Sequence, residues 1–253
     1  MQERIYYCLM IFTLCCLGQT AQAGPPYAVN DPETPERHWI ELNIGYLSSH
    51  GRGYEIQEYP SIDINYSYLN NLQLTLAVTG VSIRESGAKR KPSFADVWTE
   101  VKWRFQEEKK NRPQLALDYA IKLPTAGRSQ GLGTGNVDHT MLLIGQKAIG
   151  RLTIFGNVGI NIVGNHDGRN NALYGIVCDY QLTEHLDVGA EVYGNTSAAV
   201  GERAELAWGL GLTYRFAPDR ALLLKAGRSV QGFSDLDIYA GVQFNLGKKQ
   251  KGP

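Results

Sequence analysis

The stretch Glu205-Leu206-Ala207-Trp208-Gly209-Leu210-Gly211-Leu212-Thr213-Tyr214-Arg215-Phe216 alternates with a period of two. Leu206, Trp208, Leu210, Leu212, Tyr214 and Phe216 share one face, while Glu205, Gly209, Gly211, Thr213 and Arg215 share the other. Side chains point to opposite faces of a β-strand in succession, so this is a strand with one apolar and one polar side. Ten or so residues is also the length with which a tilted strand crosses the hydrocarbon of a bilayer.

The pattern recurs on both sides of this segment. Towards the C-terminus, Leu222, Leu224 and Ala226 oppose Lys225, and Leu236, Ile238, Ala240, Val242, Phe244 and Leu246 oppose Asp237, Tyr239, Gly241, Gln243 and Asn245. Towards the N-terminus, Leu186, Val188, Ala190 and Val192 oppose Asp187, Gly189 and Glu191, and Tyr174, Ile176, Cys178 and Tyr180 oppose Gly175, Asp179 and Gln181. Before these, Leu152, Ile154, Val158, Ile160 and Ile162 face away from Thr153, Asn157 and Asn161, and Val137 to Ala148 is the least regular segment. Leu115, Leu117, Tyr119, Ile121 and Leu123 then oppose Asp118 and Lys122, and Val97, Val101, Trp103 and Phe105 oppose Asp96, Glu100, Lys102 and Arg104. Three further segments run through Leu72 to Thr79, Ile62 to Tyr68 (against Asp63) and Ile40 to Tyr46 (against Glu41).

Twelve predicted strands form an even set, as single-chain bacterial barrels require. Connections alternate in length: Leu47 to Tyr59, Ile83 to Pro92 and Pro124 to Asn136 are long, whereas Leu69-Asn70-Asn71 and Gly150-Arg151 are short. Long outer loops and short inner turns are the habit of outer-membrane barrels. The expected fold is therefore all-β, an antiparallel transmembrane barrel spanning residues 38 to 246.

Composition agrees. Glycine is abundant at 28 and tyrosine at 14, with three methionines, a mix that suits strands and turns. Lysine plus arginine equals aspartate plus glutamate at 25 each, so no net field attracts nucleic acid. Residues 1–23 combine Arg4, an apolar run from Ile5 to Leu17 and Ala21-Gln22-Ala23, the layout of a cleaved signal peptide for export. Residues 24–37 carry Pro25, Pro26, Pro32 and Pro35 and read as an extended periplasmic or plug-like leader. Residues 247–253 form a basic periplasmic tail. Removal of the leading segment leaves Cys178 as the single cysteine, so no internal disulfide is expected.

Alternation alone leaves the apolar face either inside a soluble barrel or outside a membrane barrel. The aromatics decide it. Tyr66, Tyr68, Trp103, Phe105, Tyr180, Tyr214, Phe216 and Phe244 end the apolar faces of the descending strands at one level, the place of an aromatic girdle at a bilayer interface. Charges facing lipid would each cost about 2 to 4 kcal/mol near the midplane. Glu41, Asp63, Asp96, Glu100, Lys102, Arg104, Asp118, Lys122, Asp187, Glu191, Glu205, Arg215, Lys225 and Asp237 are accordingly expected to line the lumen. They serve there either as a selective polar lining or as salt-bridged filling of a narrow pore, and the residues leave both open.

The strings Lys102-Trp103-Arg104-Phe105, Tyr119 to Thr125, Gly131 to Asp138, Tyr180 to Thr183 and Gly211 to Pro218 resemble the MetA-pathway-of-phenol-degradation family of outer-membrane barrels. The resemblance implies a barrel, and its name implies uptake or handling of aromatic compounds. Tyr239 to Leu246 also resembles the C-terminal strand read by the barrel-assembly machinery, from which the tail after Gly247 departs.

Enzymatic and metal chemistry find little footing. Gly127-Arg128-Ser129-Gln130-Gly131 has the spacing of a nucleophile elbow but sits in a loop, without the strand-turn-helix setting that motif needs. Gly131 to Gly135 is no phosphate loop, since no helix follows. His38, His50, His139, His166 and His185 are scattered, at no metal-ligand spacing, and no cofactor is expected. Asp138-His139 with Ser129 is the one grouping that would suit a lipid hydrolase. The expected role is a passive outer-membrane channel for small solutes, hydrophobic or aromatic ones among them, surrounded by outer-membrane lipid. The alternatives are a lipid-modifying hydrolase and a structural or adhesive barrel.

Overall fold

The computed structural model describes residues 24–51, 53–85, 91–126, 135–164, 168–198, 203–232 and 234–247. Residues 1–23, the tail after Gly247, His166, and the loop carrying Ser129 lie outside the described residues. The thirteen strands are β1 (Ile40–Gly51), β2 (Tyr54–Leu69), β3 (Leu72–Glu85), β4 (Lys91–Phe94), β5 (Val97–Gln106), β6 (Gln114–Leu123) and β7 (Asp138–Ile149), followed by β8 (Leu152–Ile162), β9 (Asn171–Gln181), β10 (Leu186–Asn195), β11 (Glu205–Ala217), β12 (Arg220–Gln231) and β13 (Ser234–Leu246). All pair antiparallel with sequence neighbours, and β1 closes the ring by pairing with β13 from Ile40 opposite Leu246 to Gly51 opposite Ser234. Closure leaves no open edge in the ring of strands other than β4, the one way strands can satisfy every backbone group in hydrocarbon.

Twelve of these strands make the barrel wall, matching the expected count. The extra one is β4, which pairs with the outer half of β3 while β5 pairs with the inner half, Leu72 opposite Trp103 to Ala77 opposite Trp98. Asp96 lies in the break between β4 and β5 instead of within a strand.

The expected loop from Leu47 to Tyr59 is a correction: β1 and β2 run through it, leaving only residues 52 and 53 between them. A β-bulge explains why alternation failed there. Two residues of β2, Tyr59 and Pro60, sit opposite Tyr46 alone, so the inward parity changes. Ser61, Asp63, Asn65 and Ser67 face inward below the bulge, and Ile56 and Glu58 above it. At the expected loop from Ile83 to Pro92, β3 continues to Glu85 and β4 begins at Lys91, and residues 86–90 lie outside the described residues.

The irregular segment before Ile149 is also explained. In β7 the outward residues Met141 and Leu143 are half exposed, while inward Leu142 and Ile144 pack with Ala116 of β6 and against Leu173 of β9. With both faces apolar, β7 shows no clean alternation. Its inner end lacks an aromatic because Lys147 turns to the β5–β6 turn, donating to Glu108 at 2.8 Å and to the Lys109 carbonyl at 2.7 Å. That hydrogen bond holds the Glu108 carboxyl below its ordinary range. The two-residue turn Gly150-Arg151 rests on Gly150 at φ 63°, a conformation that costs other residues.

The outer wall is apolar. Leu74, Leu76, Val101, Leu117, Val158, Ile176, Val192 and Leu210 are all exposed, whereas Asn43, Asp63, Asn65, Glu100, Lys102, Asp118, Asn161 and Glu191 are buried. Inside, polar side chains bond across strands: Thr140 donates to Asn161 and Asn161 to Asn171, a rung spanning β7, β8 and β9. Near the outer end, the Lys122 ammonium bridges Asp138 at 2.5 Å and Asp96 at 3.4 Å, all three buried.

Two outcomes follow from this wall. Leu210→Arg, at an outward position 56 % exposed, costs about 2 to 4 kcal/mol in bilayer-reconstituted unfolding, while Val230→Arg, beside outward Arg228 near the outer rim, costs about 1 kcal/mol or less. Lys122→Met strands two buried carboxylates and lowers stability by about 3 kcal/mol, read as a lower temperature for loss of the folded band on unboiled gels.

Candidate functional site: the barrel lumen

The leader enters the lumen from the inner end. Glu33 accepts hydrogen bonds from Arg104 at 3.3 Å and Gln146 at 2.9 Å at that rim, and Thr34 donates to the Asn70 carbonyl. Further up, Asn30 donates to Asp118 at 3.2 Å, the Ala28 N–H donates to Glu191 at 2.8 Å, and the Tyr27 hydroxyl donates to Asp179 at 2.7 Å. Tyr27, Val29, Phe155 and Val177 form a small apolar core, with Tyr27 edge-on to Phe155. Burial, and then the Asp179 carboxylate, push the Tyr27 hydroxyl upward in pKa, so it stays a donor.

The seat for this segment is cut from glycine. A methyl group at Gly189 or Gly211 would overlap Tyr27, and one at Gly175 would overlap Val29. At these three inward positions the absent side chains admit the leader.

The other charged positions pair or cluster within the wall. Glu191 also holds Lys225, Nζ to Oε1 2.6 Å, and Asp187 holds Arg215. Glu41 and Asp63 accept from the amides of Asn43 and Asn65, and Glu205 accepts from Ser229 at 3.0 Å. Lys102 sits opposite Asp118 in the register, one residue pair from Glu100, and Arg104 reaches Glu107 at the inner turn.

Above the leader lies a cavity of about 130 Å³, floored by Pro25 to Ala28 and walled by β1, β2 and β10 to β13. Asn43, Glu58, Asp63, Glu205, Asp237 and Lys225 supply its polar lining, and Tyr193 and Tyr239 its aromatic one. The Tyr239 ring fills the space that the missing side chains of Gly45 and Gly241 leave. Tyr27, Glu58 and Tyr193 escaped the sequence reading, which placed Asp179 on the polar face of its strand without naming it among the lumen-lining residues. Tyr193 and Tyr239 had one available sign, as large rings on the otherwise polar or glycine-bearing face.

The eight aromatics at the inner end all point outward. Tyr68, Trp103, Phe105, Tyr180, Tyr214 and Phe216 are exposed, and Tyr66 and Phe244 are half-buried. The hydrolase grouping does not assemble: Asp138 points inward to Lys122, while His139 lies on the other face, 2.8 Å from the Tyr119 hydroxyl. Among the described residues no three of His, Cys, Asp and Glu converge as a metal site.

Solved structures share this fold. A COG4313 outer membrane channel from Pseudomonas putida F1 superposes with a TM-score of 0.73, covering 89% of this chain and 100% of that one at 11% identity. The KdgM porin (TM-score 0.58, 81% and 99% covered, 11% identity) and the NanC porin (0.56, 82% and 100%, 10%) share the same architecture. No characterised protein matches the chain by sequence alone. Residues 53–234 match the profile of the family described as "Putative MetA-pathway of phenol degradation", and the protein, an outer-membrane β-barrel, belongs to that family.

Proposed function

We propose that the protein is a passive outer-membrane channel for the uptake of small solutes. The observation that carries this reading is a closed barrel, apolar outside, whose polar lumen holds a side-chain-lined cavity above an inserted leader. Its relatives by fold are channels and porins, which supports the same role and favours it over lipid hydrolysis or adhesion.

The leader is the constriction. Residues 24–37 cross the inner half of the lumen, and they are held by discrete contacts to Asp118, Asp179 and Glu191, not by continuity with the wall. The charged lining sets selectivity by size and field. Where Lys122, Lys225 and Arg215 pair with acids it also stiffens the wall. The outward aromatics seat the inner rim among lipid headgroups, and β13 is the strand the assembly machinery engages. No chemical step is assigned to any residue.

Reconstituted in a planar bilayer, the protein gives discrete single-channel currents; a folded protein that never conducts contradicts the proposal. Tyr27→Ala removes the ring packed on Phe155 and the donor to Asp179, and raises mean conductance several-fold with the barrel still folded. Gly211→Val, which blocks the Tyr27 seat from the wall side, acts in the same direction. Conductance unchanged in both variants means the leader does not limit flow.

A further inference from the structure

We propose that the cavity above the leader binds small primary ammonium ions carrying an apolar body, so that the channel favours organic amines over matched neutral or anionic solutes. This rests on the channel reading and names the solute class for the same lumen.

The first observation is charge. Four carboxylates, Glu58, Asp63, Glu205 and Asp237, line the cavity against a single cation, Lys225. That cation is already committed, with Nζ 2.6 Å from Glu191. No ion pair joins the four acids to a cation among the described residues. A low-dielectric wall concentrates such a field onto whatever enters.

The second observation is independent of net charge and concerns hydrogen-bond type. Asp63 Oδ1 and Asn43 Oδ1 are buried and have no partner, in residues 6% and 1% exposed. The donors of Asn43 are already given to Glu41 and Asp63, and Asp63 Oδ2 is filled by Asn43 and Asn65. Apart from the Ser234 hydroxyl, also buried and without a partner, the unsatisfied buried groups lining the cavity are acceptors. Buried acceptors left unpaired are costly, and an ammonium brings three N–H groups with no acceptor of its own. A carboxylate solute would add acceptors to a wall already in surplus.

The third is shape. Leu47 and Ile56 line the same space and offer an apolar surface to the body of the solute. Aromatic faces attract cations, and the Tyr193 ring already has the Lys225 ammonium 4.9 Å from its centroid. The Tyr239 ring, seated over Gly45 and Gly241, supplies a second aromatic surface to the same cavity.

The test uses benzylammonium, benzyl alcohol and benzoate, which share one body and differ in charge and donors. Each is added to the outer side of single channels of the full chain, and each is titrated calorimetrically into the purified protein. Benzylammonium blocks potassium current and binds; the alcohol and benzoate do so at least about tenfold more weakly, and the reversal potential in a potassium chloride gradient lies on the potassium side. Asp63→Asn and, separately, Asp237→Asn weaken the block by about tenfold each, since each removes one charge-assisted contact. Asp237 is only half-buried, so its variant keeps the test sound should Asp63→Asn fail to fold. Equal block by benzoate or benzyl alcohol, a chloride-side reversal potential, or block indifferent to both variants overturns the inference while leaving the channel intact. A folded barrel without current fails the channel reading instead, and calorimetry then decides: selective benzylammonium binding upholds the site and its absence overturns it.

Discussion

Closure of the hydrogen-bond ladder is the constraint on which everything else depends. A strand in hydrocarbon has no water to satisfy its backbone, so β1 must find β13 as well as β2. Once the ring is shut, the period of two leaves each residue only two destinations, lipid or lumen. Most Leu, Ile and Val side chains and aromatic rings take the first, with Leu142, Phe155, Val177 and Tyr239 among the inward exceptions, and acids, lysines and amides take the second. The fold, the polarity of the interior and the existence of a path through the membrane all descend from that one requirement.

A twelve-stranded ring is narrow, and the interior is consequently contested space. Lys122 and Arg215 are neutralised in place by acids beside their own strands, and Lys225 by Glu191 two strands away, which fills part of the section with ion pairs. The leader fills more, using the floor made by Gly175, Gly189 and Gly211. Ion pairs occur at both ends of the lumen, from Arg215 with Asp187 at the inner end to Lys122 with Asp138 and Asp96 near the outer one, while the leader fills the inner half and unpaired carboxylates face the cavity above it.

Strand identity was readable wherever one face met lipid and the other the polar lumen along the whole strand, as in Leu206 to Phe216, because that contrast imposes a period of two. It was unreadable in two places for different reasons. At Tyr59-Pro60 an added residue inverted the parity, so Glu55 to Glu58 read as loop although they continue β2. In β7, Leu142 and Ile144 face a local apolar patch inside the barrel, which erased the contrast between faces. The leader was readable as an extended, proline-rich segment but not as a set of contacts. Tyr27 and Asp179 are 152 residues apart, and nothing local in either marks the other. The cavity was half readable: Asp63, Glu205, Lys225 and Asp237 follow from alternation, whereas Glu58 needs the bulge and Tyr193 needs the closed ring to bring β10 across from β2.

The direction in which the apolar face points is tested most directly at Cys178, the one free cysteine among the described residues, exposed on the outer face of β9 between Ile154 and Ala190. With Cys8, Cys15 and Cys16 replaced by serine, a nitroxide at Cys178 in reconstituted vesicles should relax faster with oxygen, which concentrates in lipid, than with a water-soluble nickel chelate. A label at Val177→Cys, whose parent side chain is fully buried inside, should not show that preference. Free access of the nickel chelate to Cys178, with oxygen preference at position 177, would mean the wall is inverted.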